Sequence, residues 1–387
     1  MRVLFVVCNL VDYQIPRYRA MAQLAARRAH DVSLVEIFGR SRSNAYPQPA
    51  RAKFFAEGRV NVVTLFKNQA HGDEHWLSII GRLREVLRAR SPDLVVTLGY
   101  QTSYSIYLCA IKIITQRFKL VYMSDSKADD GKRRWLKERL KKLLVSRFDG
   151  ALVAGEKHRV YARSLGIPFA RSRIGFDVID VDYFREAAQR AKADAVYERT
   201  RFGLPERYAI CVSRFVQRKN VLLVVEAFAR SPLPHRGISL LLVGEGPLEQ
   251  AVRDRINALD LHERVLIISK MPNQDMPTLY ALADFIILAS TFDQWGLCIH
   301  EAMATGCPAI VTSTCGCAHE LVHDGVNGFI VRPGDVEELT QRMSLLTEDH
   351  GLRRNFSLNA VKAVEEWTPS LFAENVLALA DAVGAAP

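Results

Sequence analysis

Short runs of apolar residues alternate along the chain with longer stretches in which apolar residues recur at helical spacing. In the first half, the runs fall at 3–7, 31–37, 60–65, 93–99, 119–124 and 150–155. In the second half, they fall at 208–213, 238–244, 264–269, 284–290, 308–313 and 328–331. Apolar runs of this length between amphipathic helices are typical of βαβ units with buried parallel strands. The pattern therefore predicts an α/β protein with two similar units in tandem.

The stretches between these runs predict the helices and the domain boundaries. The helices predicted in the first half lie at 16–28, 75–90, 103–117 and 132–147. Residues 185–205 are polar with few large apolar side chains, and we interpret them as a linker and the approach to a second domain, with the boundary near 180–205. We therefore expect an N-terminal domain over 1–185 and a C-terminal domain over 205–365. A last helix within 366–387 could cross back to the first domain.

Length and composition are those of a globular protein that binds anions. The 387 residues exceed one ordinary core, so two domains of about 150–200 residues are expected. The formal net charge of +10 favours anionic partners. Seven cysteines without metal-site spacing predict reduced thiols and a cytoplasmic protein. The first apolar run ends at Asp12 without a cleavage site, and no run approaches the roughly 18 residues of a membrane span.

Basic residues follow the first strand of the second half. Arg214 and Lys219 come directly after the run at 208–213, at the carboxyl end of the predicted strand. Arginine binds phosphate through a bidentate fork and lysine binds it as a point charge. The two residues are therefore suited to a diphosphate, and a solvated basic loop is the alternative.

A glycine-rich turn follows the next strand. The stretch LLVGEGPLEQAV contains Gly244 and Gly246, but Glu249 stands where a dinucleotide fingerprint has its third glycine. An NAD site is therefore not favoured. A turn in which the backbone approaches a ligand phosphate remains a candidate function.

The strongest candidate site is FDQWGLCIHEAMATGCPAIVTS, residues 292–313. Asp293 follows a buried strand, Gly296 permits close backbone approach, and a helix then begins that carries Glu301. The N-terminus of a helix offers unpaired N–H groups and is a ready anion site. The two carboxylates could both face one ligand. The alternative is that Glu301 forms a structural ion pair and Asp293 is an ordinary helix-entry residue.

Four motifs together resemble a known family. SRFVQRKN, LLVGEGPL, DQWGLCIHEAMATGCPAIVTS and HELVHDGVNGFIVRPGD, in this order and spacing, are similar to the retaining nucleotide-sugar glycosyltransferases of family GT4. The resemblance covers 205–345 and is weaker in the first domain. It implies the GT-B fold, in which two Rossmann-like domains face each other across a cleft.

The resemblance also implies roles for donor-binding residues. Arg214 and Lys219 would neutralise the donor diphosphate, with the turn at Gly244 nearby. The N–H groups at Gly296 and Leu297 would contact phosphate and sugar. The remaining implied contacts are the ribose with Glu301 and the base with the backbone around Met271.

One position departs from the family pattern. The family's E-x7-E motif appears here as D-x7-E, because Asp293 replaces the first glutamate. The resemblance implies that this carboxylate hydrogen-bonds hydroxyls of the donor sugar. Aspartate is one methylene shorter, so the sugar would sit differently.

The first domain departs further. VDYQIPRYR stands where family members often have a Gly-Gly loop, and Asp125 stands near the position of a family histidine. Asp125 would either orient and activate an acceptor hydroxyl or cap the segment that follows. Gln14, Arg17 and Tyr100 are further candidates on the acceptor side of the cleft.

A basic amphipathic helix is predicted within 131–148. Its apolar face would consist of Trp135, Leu136, Leu140, Leu143 and Leu144. We favour a helix that packs on the core and exposes its basic face to solvent. The alternative is a peripheral contact with anionic lipid at the inner face of a membrane.

The sequence thus predicts a metal-independent, retaining hexosyltransferase without a cofactor. It would move a sugar from a nucleoside diphosphate, with UDP favoured, to a hydroxyl acceptor that is a glycan, a lipid-linked molecule or a small molecule. No nucleic-acid partner is expected. The alternatives are a GT-B enzyme of other chemistry, such as an epimerase or a dehydrogenase, and a non-catalytic binder of anionic ligands.

Overall fold

A computed structural model describes residues 1–40, 61–70, 76–131, 133–269 and 271–385. The first or last residues of some predicted elements, such as residue 60, therefore lie outside the described parts. These parts form two compact units. Unit 1 comprises Met1–Ile179 and Thr368–Pro387, and unit 2 comprises Asp180–Trp367.

Unit 1 is built on a parallel sheet. Its strands are β1 (Arg2–Val7), β2 (Asp31–Phe38), β3 (Asn61–Phe66), β4 (Leu94–Leu98), β5 (Lys119–Ser124), β6 (Gly150–Val153) and β7 (Ser172–Arg173). They pair in the order β3-β2-β1-β4-β5-β6-β7. Its first helices are α1 (Ile15–Arg27), α2 (Trp76–Arg90), α3 (Ser103–Thr115), α4 (Trp135–Val145) and α5 (Glu156–Ser164).

The strands of unit 1 read as continuous apolar runs because both faces of the sheet are buried. In β1, Val3 and Phe5 join one core cluster, whereas Leu4 and Val6 join the cluster on the opposite face. Side chains alternate between the two faces of a strand, so a strand covered on both sides has no polar face.

Unit 2 repeats this architecture. Its strands are β8 (Tyr208–Val212), β9 (Ser239–Val243), β10 (Val265–Ile268), β11 (Phe285–Leu288), β12 (Ala309–Thr312) and β13 (Gly328–Val331), in the order β10-β9-β8-β11-β12-β13. Its helices are α6 (Val181–Ala193), α7 (Ala195–Phe202), α8 (Val221–Arg230), α9 (Glu249–Ala258), α10 (Met276–Ala281), α11 (Leu297–Ala304), α12 (Val336–Glu348) and α13 (His350–Ala363). The last described helix is α14 (Pro369–Ala382).

The predicted linker at 185–205 is wrong, because this stretch forms most of α6 and all of α7 within unit 2. Ala188 and Ala191 of α6 pack in a small cluster with Ala281 of α10. Lys192 Nζ donates to the carbonyl of Thr305 at 2.8 Å. The scarcity of large apolar residues misled the prediction, because alanines at helical spacing make these contacts. Unit 2 begins at Asp180, at the N-terminal edge of the region 180–205 in which the domain boundary was expected.

The C-terminal helix α14 is part of unit 1. It packs on α1 and the sheet, and Phe372 contributes its ring to a cluster with Phe5 and Tyr18. The Phe5 and Tyr18 rings meet edge to face with centroids 5.2 Å apart. Aromatic pairs of this geometry contribute about 0.5–1.5 kcal/mol beyond the area they bury. Unit 1 thus combines the N-terminal segment Met1–Ile179 with the C-terminal helix α14.

The basic helix α4 differs from its prediction. We expected its leucines to pack on the core, but Trp135, Leu136, Leu140 and Leu143 are all exposed. Only Val145 is fully buried and Leu144 partly so. The prediction that α4 packs on the core through these apolar residues is therefore wrong.

Among the residues that the structure describes, no helix is both long enough and apolar enough to cross a lipid bilayer.

Candidate functional site

The strand order of unit 2 reverses between two neighbouring strands. The chain proceeds outward from β8 to β9 and β10, then returns to pair β11 on the other side of β8. Ligands of open parallel sheets bind at such a reversal, outside the carboxyl ends of the strands. The loops after β8 and β11 carry Lys219 and Asp293, and the structure brings these two side chains together.

Lys219 and Asp293 form a short ion pair. The Lys219 ammonium donates directly to the Asp293 carboxylate. Both side chains are largely shielded from solvent, with exposed fractions of 13% and 8%. Removing one partner of a shielded ion pair strongly destabilises the folded protein, because the other charge is left buried without compensation. Asp293 is therefore more than an ordinary helix-entry residue.

Two further residues complete this carboxylate site, and neither was predicted from the sequence. Ser290 Oγ donates to Asp293 at 3.2 Å, and an Arg218 guanidinium nitrogen lies 3.7 Å from the other carboxylate oxygen. The carbonyl of Arg218 accepts a hydrogen bond from the N–H of Thr291 at 2.8 Å. This backbone bond joins the β8 and β11 loops directly. The signal in the sequence was the R-K dipeptide at 218–219, of which only the lysine was singled out.

Arg214 remains available to a ligand. Its side chain is exposed, and it forms no ion pair with any residue in the described ranges. Arg214 and Lys219 thus follow the same strand, one as an uncommitted cation and the other held by Asp293. Binding of an anion would need no rearrangement at Arg214 beyond that of its own side chain.

Glu301 lies within α11 and is shielded from solvent. It forms no ion pair with a described residue, so the ion-pair alternative for it is not supported. The hydroxyl of Tyr280 donates to its carboxylate at 2.9 Å. Burial raises the pKa of Glu301 from 4.5 to about 7, and the hydrogen bond from Tyr280 opposes that rise. A buried carboxylate with a perturbed pKa beside a sheet edge is typical of a functional group.

The N-terminus of α11 lies in the same loop. Gly296 precedes the helix with φ of 102°, in the left-handed region that favours glycine. An added Cβ would lie 3.0 Å from Leu288 and 3.2 Å from the sulfur of Cys317. Helix α11 has no side-chain cap, and Leu297 is partly exposed. The first N–H groups of such a helix are suited to bind an anion.

The glycines of the G-x-G turn are required by packing within the protein. A Cβ at Gly244 would lie 1.9 Å from the carbonyl oxygen of Ser213, and one at Gly246 would lie 2.5 Å from that of Phe215. The N–H of Phe215 also donates to the carbonyl of Glu245 at 2.9 Å. The turn after β9 is therefore packed tightly against the loop that carries Arg214. The predicted contact of Gly244 with a donor stays a prediction.

Met271 lies three residues beyond the end of β10 at Ile268. It follows β10 and is half-buried, and the neighbouring residue 270 lies outside the described ranges. Because β10 is parallel to β9 and β8, Met271 lies at the same edge of the sheet as the loops above. Its predicted contact with a nucleotide base stays a prediction.

In unit 1, Arg17 is buried in an aromatic environment. Its guanidinium carbon lies 4.6 Å from the ring centroid of Phe176, 5.2 Å from Tyr18 and 5.5 Å from Phe372. It donates to the carbonyl of Phe176 at 2.9 Å. The Arg17 side chain is therefore covered by packing within unit 1, and its predicted role on the acceptor side stays a prediction.

Tyr100 and Gln14 are also buried. Tyr100 belongs to the core cluster, where its ring meets that of Tyr122 edge to face with centroids 5.2 Å apart. This packing covers the Tyr100 ring, and the predicted acceptor-side role of Tyr100 stays a prediction. Gln14 Nε2 donates to the hydroxyl of Tyr13 at 3.3 Å.

Asp125 remains the acceptor-side candidate with solvent access. It follows β5 and is half-buried. Its charge, that of Asp177 and burial all raise the pKa of Tyr13, burial most strongly, whereas Arg17 lowers it. Tyr13 therefore lies near these carboxylates, although the sequence did not single it out. Its place two residues before the start of α1 at Ile15 was the available signal.

The D-x-D at 180–182 forms the start of a helix. Asp180 precedes α6, and its carboxylate accepts a hydrogen bond from the N–H of Tyr183 at 3.2 Å. Within the described ranges, no three His, Cys, Asp or Glu side chains come together in a way that could hold a metal ion.

The site lies in a region that matches a known family. Residues 197–363 match the model of the family described as "Glycosyl transferases group 1". Residues 197–363 therefore match the group 1 glycosyltransferase family, in agreement with the resemblance of the motifs within 205–345.

Curated relatives match over about half of the chain. N-acetyl-alpha-D-glucosaminyl L-malate synthase of Bacillus anthracis is 31% identical over 192 residues, which cover 49% of each chain. Alpha-D-kanosaminyltransferase of Streptomyces kanamyceticus is 28% identical over 180 residues, which cover 46% of each. The match thus spans about half the length of these relatives.

Solved structures match over nearly the whole chain. Anabaena HepE in complex with UDP and glucose superposes with a TM-score of 0.72 at 19% identity, covering 97% of this chain and 98% of that one. Sucrose-phosphate synthase from Thermosynechococcus elongatus gives a TM-score of 0.76 at 16% identity and covers all of both chains. These likenesses confirm the predicted GT-B class of two α/β domains.

Proposed function

We propose that this protein is a retaining glycosyltransferase that transfers a sugar from a nucleoside diphosphate, with UDP favoured, to a hydroxyl acceptor. The observation that carries the proposal is the Lys219–Asp293 pair at the strand reversal of unit 2, beside the N-terminus of α11. The choice of UDP draws on the likeness to HepE, whose structure has been solved with UDP-glucose.

In this proposal, ion pairs with the donor diphosphate replace the ion pairs of Asp293. The diphosphate draws Lys219 away from Asp293 and also takes Arg214 and Arg218 as partners. The Asp293 carboxylate, still held by Ser290, then becomes free to accept hydrogen bonds from the hydroxyls of the donor sugar.

Glu301 would hold the ribose. Because burial raises the pKa of Glu301 to about 7, the ionised form of this side chain lowers the stability of the folded protein. Two ribose hydroxyls would supply the hydrogen bonds that the buried carboxylate lacks, so donor binding would favour its ionised form. Tyr280 keeps the acid oriented in the meantime.

The transfer breaks the bond between the anomeric carbon and the diphosphate oxygen, and the diphosphate leaves with the electron pair. The acceptor oxygen forms its bond to the anomeric carbon on the same face. Its proton passes to the oxygen of the departing diphosphate. Arg214, Lys219 and the α11 N-terminus stabilise the charge that develops on the diphosphate. With these groups in place the scheme needs no metal ion, and activity should persist in EDTA.

The acceptor would bind to unit 1. Asp125 has the solvent access to orient its hydroxyl, whereas Arg17 and Tyr100 would act through the packing of the segments around it. An Asp125→Asn variant should therefore lower transfer while leaving the affinity for the donor unchanged.

The test measures transfer and its stereochemistry. The protein is incubated with UDP-, GDP- and ADP-sugars and a panel of hydroxyl acceptors, and the anomeric configuration of the product is read by NMR. Arg214→Ala should lower kcat/KM about tenfold or more, since hydrogen bonds to charged groups contribute about 1.5–3 kcal/mol. Arg354→Ala, at an exposed arginine of α13, is the matched control.

Three results would contradict the proposal. They are a product of inverted configuration, conversion of the donor sugar without any acceptor, and transfer rates that Arg214→Ala and Lys219→Ala both leave unchanged. The second result would favour an epimerase-like enzyme.

A further inference from the structure

Helix α4 of unit 1 exposes four large apolar side chains. The exposed fractions are 64% for Trp135, 57% for Leu136, 67% for Leu140 and 60% for Leu143. At 100° per residue these positions fall within an arc of about 140° on one side of the helix. Single exposed apolar residues are ordinary on protein surfaces, but a contiguous apolar face marks an interaction site.

The opposite side of α4 is attached to the protein through polar groups. Glu138 accepts hydrogen bonds from the hydroxyl of Tyr161 at 2.7 Å and from Lys141 Nζ at 2.8 Å. Arg133 lies 3.6 Å from the same carboxylate, and Val145 at the end of the helix is fully buried. The helix is therefore inverted relative to an ordinary surface helix, whose apolar side faces the core. The contacts of Glu138 with Tyr161, Lys141 and Arg133 therefore fix which side of α4 faces solvent.

The exposed side of α4 is also cationic. Lys137, Arg139 and Lys142 are exposed, and the guanidinium carbon of Arg139 lies 5.7 Å from the ring centroid of Trp135. Glu138 is the helix's sole acidic residue in the sequence, and it faces the protein. The outward side thus combines an apolar arc with positive charge and no carboxylate.

We propose that α4 docks this protein onto the surface of an anionic lipid bilayer. A helix that lies in the interface buries its apolar face at the boundary of the acyl chains while its lysines and arginines meet anionic headgroups. A nucleic acid would use the cations but would leave the tryptophan and leucines in water. A protein partner would have to match positive charge on and around the apolar arc, for which a bilayer of anionic lipids provides the simplest complement.

The apolar contribution is tested by vesicle flotation of the full chain. The vesicles are phosphatidylcholine alone or phosphatidylcholine with phosphatidylglycerol, and neither donor nor acceptor is added, so the result does not depend on the proposed activity. The double variant Leu140→Gln, Leu143→Gln should lower the vesicle partition coefficient about tenfold or more. Leu358→Gln changes a leucine of α13 that is 58% exposed in unit 2, and it should bind like the wild type.

The charge contribution is tested with Lys137→Gln and Lys142→Gln. Each should weaken binding to the phosphatidylglycerol vesicles about fivefold, and added salt should reproduce the loss. Arg354→Gln in α13 is the matched control. The emission of Trp135 should shift to shorter wavelength on binding, and Trp135→Phe should abolish the shift while most of the binding remains.

Several results would overturn the proposal. Partition that is equal for vesicles with and without phosphatidylglycerol would exclude anionic lipid as the partner. Equal partition of the leucine variant and the Leu358→Gln control would exclude α4 as the docking element. Absence of vesicle binding, together with a dimer that Leu140→Gln, Leu143→Gln dissociates in sedimentation, would assign this face to a second copy of the chain. Binding of duplex DNA but not of vesicles would assign it to nucleic acid.

Discussion

The two sheets share one topology but hold the polar groups at their carboxyl edges in different ways. In unit 2, the edge carries the Lys219–Asp293 pair, the exposed Arg214 and the buried acid Glu301. In unit 1, Arg17 is enclosed by aromatic rings. The difference teaches that strand order creates the place for a site, whereas the way in which each charge is compensated decides whether a ligand can use it.

The largest expected effect is the loss of the cation at the unit 2 edge. Lys219→Ala should lower kcat/KM about 10²–10³-fold, because removal of one preorganised group that stabilises developing charge has that magnitude. The variant also leaves Asp293 without its partner, so its free energy of unfolding should fall.

A second variant separates these two effects. Lys219→Ala combined with Asp293→Asn should regain stability, because no uncompensated charge is left, but it should not regain transfer. Transfer rates and urea unfolding curves are measured for the wild type, Lys219→Ala and the double variant, and they separate the loss of stability from the loss of transfer. A double variant that recovered its rate would show that Lys219 acts only as a structural partner of Asp293.

The glycine turn provides a test of stability at the same edge. Gly244→Ala should lower the free energy of unfolding by about 3 kcal/mol or more, because its Cβ would meet the Ser213 carbonyl at 1.9 Å and φ is 145°. Gly237→Ala is the matched control, since φ is 73° but no atom lies within 4 Å. That control should cost about 1–2 kcal/mol from backbone strain alone. Chemical denaturation of both variants gives the comparison, and equal losses would contradict the packing described for the turn.

The buried acid predicts a pH dependence of stability. Folded Glu301 binds its proton more tightly than unfolded Glu301, since its pKa is raised from 4.5 to about 7. Its contribution to stability is therefore present below about pH 4.5 and is lost as the pH rises through about 7, by up to about 3 kcal/mol. Glu301→Gln should remove this part of the slope and be more stable than the wild type above pH 7. It should also bind the donor less tightly. A slope that the variant leaves unchanged would show that Glu301 ionises freely in the folded state.

The smallest expected effect concerns the hydrogen bond to that acid. Tyr280→Phe removes the hydroxyl that lowers the pKa of Glu301, so the midpoint of the pH-dependent loss of stability should move to higher pH. The free energy of unfolding at neutral pH should fall by about 1 kcal/mol. Thermal unfolding across a pH series measures both. A midpoint that moved to lower pH would reverse the role assigned to the tyrosine.

The apolar pattern predicted the strands well. It predicted poorly those helices that contact the rest of the protein through small or polar residues. The run at 3–7 corresponds to Arg2–Val7 and that at 308–313 to Ala309–Thr312, because burial on both faces gives an uninterrupted apolar signal. Helix α6 was taken as linker because alanine contributes little to that signal. Helix α4 was assigned to the core because its periodicity reveals an apolar face but not the partner of that face.

The candidate site was predicted through its local motifs and missed where it depends on distant pairing. Arg214, Glu301 and Gly296 each stand at a recognisable place after a strand or at a helix start. The pairing of Asp293 with Lys219 joins residues 74 positions apart in the chain. The hydrogen bond from Tyr280 to Glu301 joins α10 to α11. Such contacts follow from how helices and strands are arranged in three dimensions, which local periodicity does not specify.

The most direct test of the donor site is calorimetric titration of the protein with UDP, GDP and ADP. The account predicts that one nucleoside diphosphate binds the wild type and Arg354→Ala equally, and binds Arg214→Ala about tenfold or more weakly. Arg214 is exposed and unpaired in the described structure, so this variant should fold normally and a loss of affinity would report on the ligand. Equal affinity of Arg214→Ala and the wild type for every nucleotide that binds would contradict the assignment of this sheet edge as the diphosphate site.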